Sequence, residues 1–155
     1  VRIDRSLHHS DGMGRRAEGR RTTGRRSSPA RPPRSSLDRR ARMTLILERD
    51  GPRCVWCASP FDDRLNRATT EHLVPRIKGG PSWLENEVAA CRRCNSQRGH
   101  RSLGEFAAEC EALGREVDRN RIIRVLRSLE DAIARHGGQR RARPYIATQL
   151  RRLDV

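Results

Sequence analysis

Between residues 37 and 51 the apolar positions recur at helical spacing, with Met43, Ile46 and Leu47 on one side of "LDRRARMTLILERDG". Asp38 stands where a helix cap is needed, and Asp50-Gly51 closes the segment. The same period returns toward the C-terminus. Ser102 and Glu105 have capping-box spacing ahead of a stripe of Leu103, Phe106, Cys110 and Leu113. A second helix over about 118–136 places Ile122, Leu126, Leu129 and Ile133 on one face and stops at Gly137-Gly138. A third begins near Pro144, with Ile146, Leu150 and Leu153 aligned. These stripes are expected to bury against one another as core.

The middle of the chain, residues 52–101, lacks that period. "TTEHLV" reads as a short strand and "EVAAC" as another, joined through a Gly79-Gly80-Pro81 loop, and the segment from Cys91 reads as a helix. The predicted class is therefore α+β. Two Cys-x-x-Cys knuckles bracket the strands, Cys54/Cys57 and Cys91/Cys94. A tight knuckle offers two thiolates from one loop, and a tetrahedral Zn²⁺ takes four. A redox dithiol needs one such pair and leaves the second unexplained. Structural zinc is the expectation, and Cys110, on an apolar stripe, is expected to be a buried thiol outside the clamp. A zinc ligated by four thiolates has no open position for water, so any hydrolytic chemistry here needs a second ion.

Composition changes the picture in two ways. Only 34% of the 155 residues are hydrophobic and 3% aromatic, so a small core that profits from a metal fits better than a large self-sufficient one. The 34 basic residues outnumber 19 acidic ones, for a net +15, which favours polyanionic partners such as DNA, with RNA also open. Residues 1–43 hold 13 arginines against 4 acids, a net of +9. Within them, 1–36 is rich in Arg, Ser, Gly and Pro without apolar period, and is expected to be a disordered basic tail. Met43 is a poor alternative start, because it falls inside the first predicted helix. No apolar run suits a membrane span or an export signal, so a reducing cytoplasmic setting is expected, consistent with metal-bound rather than paired cysteines.

One short block carries candidate chemistry, "EHLVP" at 71–75. Adjacent side chains on a strand point to opposite faces, so Glu71 and His72 can share a site only at a strand end or bend, and Pro75 makes an early end plausible. The order Cys-x-x-Cys, Glu-His-Leu-Val-Pro, Gly-Gly, Asn86, Cys-x-x-Cys-Asn resembles the HNH endonuclease family. The resemblance covers about residues 38–106. It implies a ββα-metal finger with a four-cysteine zinc knuckle, flanked by C-terminal helices, and a nuclease domain over 37–106 with a helical extension over 107–155.

Carried over residue by residue, the resemblance implies that His72 is the general base, with Asn86 grouped as catalytic because it ties the loop and orients His72 through backbone contacts. Glu71 and Asn95 would ligate Mg²⁺ or another divalent ion. The family more often has Asp at the position of Glu71. The implied reaction is hydrolysis of DNA to a 5′-phosphate and a 3′-hydroxyl, with no small-molecule cofactor. Arg92, Arg93, Arg98 and Arg101 flank the block as candidate phosphate contacts, and His100 is expected to be a solvated surface residue. The alternative is a non-catalytic zinc-finger nucleic-acid-binding protein. Glu71, His72 and Asn95 discriminate the two, because a pure binder has no need of all three together.

Overall fold

The computed structural model describes residues 37–62 and 64–154. The basic tail expected over 1–36 lies outside the described residues. Helix α1, Arg39–Asp50, begins as its sequence predicts: Asp38 Oδ1 accepts from the Ala41 amide at 2.8 Å. Gly51 ends it in the left-handed region that other residues avoid, its amide donating to Leu47 O. Of the α1 stripe only Ile46 is fully buried, while Met43 and Leu47 are half-buried.

Two strands follow, β1 (Ala68–His72) and β2 (Glu87–Cys91), antiparallel with Ala68 opposite Cys91 and His72 opposite Glu87. β1 ends at His72, two residues short of the "TTEHLV" reading, and the backbone turns at Pro75 through a 3-10 turn at Arg76–Lys78. A second 3-10 turn, Leu84–Asn86, leads into β2. Between the turns the chain doubles back tightly. A Cβ on Gly80 would stand 1.8 Å from Val74 O, so only glycine allows this approach.

Helix α2, Arg92–Arg98, continues directly from β2, completing a ββα unit. Helix α4 (Arg119–His136) packs on the 3-10 turn that leads into β2, and α5 (Ala142–Leu153) packs on both α4 and α3 (Leu103–Ala112). The capping box predicted for α3 does not form. Ser102 makes no cap bond; instead Gln149 of α5 reaches across, its Oε1 accepting from the Leu103 and Gly104 amides at 2.8 and 3.3 Å. Leu113, predicted for the α3 stripe, lies past the helix end and is 62% exposed. Asp118 caps α4, accepting from the Arg121 amide at 2.9 Å.

One apolar cluster runs through the molecule, from Cys54, Val55 and Trp56 to Phe106, Cys110, Leu126 and Ile146. Trp56 meets Phe106 edge to face at 5.0 Å. The Asp118 amide and the Arg121 guanidinium donate to Val55 O and Arg53 O, tying α4 to the first knuckle. The boundary expected after residue 106 falls inside α3, and the core is continuous across it. Among the described residues, no helix is long and apolar enough to cross a membrane.

Candidate metal centre and active site

The sulfurs of Cys54, Cys57, Cys91 and Cys94 lie within 4.8 Å of one another. A tetrahedral ion with sulfur ligands at about 2.3 Å spaces them about 3.8 Å apart, so the four fit one centre with little movement. Backbone amides already face them: Trp56 and Cys91 donate to Cys54 Sγ at 3.4 and 3.3 Å, and Cys94 to Cys91 Sγ at 3.5 Å. Such donors favour thiolates. Cys94 also donates to Cys54, which takes the Cys54 thiol down to about 5 despite its burial and raises Cys94. The donor set is that of a cluster able to hold a metal such as zinc. Cys110 is buried outside it, 3.5 Å from Arg115 Nη1, as its stripe position predicts.

Asn95 follows Cys94 on α2, so the knuckle fixes where its amide goes. Nδ2 donates to Thr69 Oγ1 at 2.9 Å and to Thr70 O at 3.1 Å, both on β1. Its Oδ1 accepts no hydrogen bond from the described residues. Asn95 borders a cleft of about 190 Å³ whose lining also includes Glu71, His72, Arg98 and His100. The strand end at His72 is what lets two consecutive side chains reach it. Glu71 is 2% exposed and pairs with Arg98 through Oε1, leaving Oε2 without a hydrogen bond from the described residues. Burial pushes the Glu71 carboxyl up to about 7, outweighing the lowering effect of Arg98. One amide and one carboxylate oxygen, both unclaimed, suit a hard divalent cation.

His72 is half-buried, with Nε2 3.4 Å from Glu87 Oε1 and Nδ1 without a hydrogen bond among the described residues. Asn86 has no place in the cleft. It is fully buried, accepts from Val74 N at 2.8 Å, and donates to Val74 O and Pro81 O at 3.0 and 2.8 Å. Its own carbonyl accepts from Leu73 N at 3.0 Å, so it shapes the turn just past His72 through the backbone.

Two of the four candidate phosphate arginines are otherwise engaged. Arg98 is 1% exposed and donates to Glu71, to His72 O at 2.9 Å and to Leu73 O at 2.8 Å. Its place is inside the fold. Arg101 pairs with Glu109 and lies 5.2 Å over the Phe106 ring. Arg92 and Arg93 are exposed and line a groove of about 690 Å³ with Arg64, Arg67, Thr69 and Ser96. Arg64 and Arg67 went unread in the sequence, where "DDRLNR" resembles any solvated loop. His100 is exposed, as expected, yet borders the cleft.

Residues 54–111 match the family model described as HNH endonuclease. Over this segment the chain resembles the HNH endonuclease family. The CRISPR-associated endonuclease Cas9 of Corynebacterium diphtheriae is 31% identical over 72 residues, 46% of this chain and 6% of that protein. The chain thus spans a small part of the length of the curated relative it matches. No solved structure matches it significantly. The HNH segment contains the four cysteines, the cleft residues, and most of α3, whose Phe106 and Cys110 belong to the shared core.

Proposed function

We propose that this chain is a metal-dependent HNH endonuclease that hydrolyses DNA phosphodiester bonds, with Zn²⁺ in the four-cysteine clamp and Mg²⁺ or another divalent ion in the cleft. The observation carrying this reading is that Glu71, His72 and Asn95 all border one cleft beside the clamp. Asn95 Oδ1 and Glu71 Oε2 are the oxygens that would hold the divalent ion. When bound, that ion offsets charge building on the phosphoryl oxygens and on the leaving 3′ oxygen.

The protein's own residues do the rest. His72 takes a proton from the attacking water at Nδ1, acting as general base. Asn86 and the Gly79-Gly80 turn hold the backbone beyond His72, and Arg98 holds Glu71. Arg92, Arg93, Arg64 and Arg67 give the groove the positive charge that flanking phosphates need. The products are a 5′-phosphate and a 3′-hydroxyl.

The test is nicking of supercoiled plasmid by the zinc-loaded full chain. Wild type is expected to cut with Mg²⁺ and to stop when EDTA is added, while His72→Ala retains zinc and DNA binding without cutting. Equal cutting by His72→Ala would overturn the base assignment.

One observation favours a non-catalytic nucleic-acid-binding finger: Arg98 already occupies one oxygen of Glu71. Titration of the zinc-loaded chain with Mn²⁺ separates the two readings. Binding that disappears in Glu71→Gln supports the nuclease, and no binding in wild type supports the binder.

A further inference from the structure

The last pair of the β1–β2 ladder is His72 opposite Glu87. Their side chains meet on the same face, Nε2 of His72 standing 3.4 Å from Oε1 of Glu87. Both atoms are shut off from solvent, and neither has a formed hydrogen bond. Two unpartnered polar atoms enclosed side by side are costly apart and mutually satisfying together. A slight rotation of the ring converts their approach into an N–H···O bond.

Glu87 itself needs explaining. It is fully buried at the head of a strand, Glu87–Cys91, whose remaining residues are apolar. Packing alone would be served there by valine or leucine. Arg42 of α1 faces the carboxylate with the opposite charge, its Nε donating to Oε2 at 3.2 Å. Arg42 therefore takes one oxygen and leaves the other facing the imidazole.

A neutral imidazole has one N–H and one lone pair, so fixing the first fixes the second. We propose that Glu87 is a positioning residue for His72: it accepts the Nε2 proton and so holds the ring in the tautomer whose Nδ1 lone pair is presented to the cleft. Nε2 is shut off from solvent against Glu87, so Nδ1 is the ring nitrogen left to take a proton from water. The consequence for catalysis rests on His72 being the base, as proposed above; the tautomer does not.

The rival role for Glu87 is purely architectural, an anchor for α1 through Arg42. Nitrogen chemical shifts of His72 in the zinc-loaded full chain separate the roles, recorded well above the ordinary imidazole pKa of about 6.5. Wild type is expected to carry the proton on Nε2. Arg42→Met cuts the link to α1 and should leave that tautomer in place. Glu87→Leu should release it, and should lower kcat at least about tenfold with KM unchanged, as loss of an orienting partner does. A wild-type ring protonated on Nδ1 would overturn the proposal, as would an unchanged tautomer in Glu87→Leu. If Glu87→Leu fails to fold, the wild-type and Arg42→Met spectra still decide. A chain with the expected tautomer that cuts no nucleic acid would refute the nuclease reading and leave this pairing standing.

Discussion

Arg98 and Glu71 form an ion pair in which each side chain is 2% exposed. The pair joins the C-terminal turn of α2 to β1, and the guanidinium also caps the carbonyls of His72 and Leu73 at the strand's end. Removing one partner strands a buried charge, which typically costs about 3–5 kcal/mol. Arg98→Met is expected to lose about that much in urea unfolding of the zinc-loaded chain. Adding Glu71→Gln should restore part of it, because no uncompensated carboxylate remains. A midpoint unchanged in Arg98→Met would mean the pair contributes nothing net.

The Glu71 carboxyl sits at about 7, first because burial disfavours its charge. The folded chain thus holds this proton more tightly than the unfolded chain, where glutamate titrates near 4.3. Without a divalent ion, stability from this group is complete below the unfolded value and is lost as pH rises through about 7. A cation competes with that proton, so its affinity must run the other way. Calorimetric titration of zinc-loaded protein with Mn²⁺ is expected to show affinity rising severalfold from about pH 6 to about pH 8. A flat profile would remove Glu71 from the ligands.

Loss of one sulfur should cost the domain its fold. Structural zinc in small domains contributes about 10–16 kcal/mol of apparent binding energy. Cys91→Ser is expected to unfold the chain by circular dichroism, and a strong zinc chelator should do the same to wild type. A folded, zinc-free Cys91→Ser protein would show that the clamp is dispensable.

Gly80 lies against Val74 O closely enough that an added methyl would overlap it, and would also press on Asn86 Nδ2 at 2.9 Å. Gly80→Ala is therefore expected to destabilise by about 3 kcal/mol or more. Thermal unfolding reads this directly, and a near-neutral effect would mean the turn relaxes freely.

Arg92 and Arg93 should act on phosphates without regard to sequence. Each replacement by Ala is expected to reduce the slope of log affinity against log salt by about 0.9 on duplex DNA. Arg101→Ala, whose guanidinium is paired with Glu109, should leave that slope alone.

Much of the fold was legible because its signals are local. Asp38, Gly51 and the α4 stripe of Ile122, Leu126, Leu129 and Ile133 carry their own instructions, and all behave as read. Ser102 misled because the α3 amides found an acceptor far along the chain in Gln149, which no spacing rule reveals. In the site, cysteine spacing marked the clamp and the Glu-His pair marked the cleft. Arg98 reads in the sequence as a candidate phosphate contact, because helix-end arginines usually are solvated; its burial depends on the His72 and Leu73 carbonyls and Tyr145 converging on it. Glu87 was missed for a similar reason. Only the strand register puts it opposite His72, and register is not written in either strand alone.

The shared core sets how far this module can be moved. A graft of residues 54–101 onto another scaffold would carry every candidate ligand, yet it would leave Trp56 without the Phe106 ring and Val55 O without the Asp118 amide. Recombination that transplants the motif must take α3 and α4 with it, so these helices mark the smallest heritable unit.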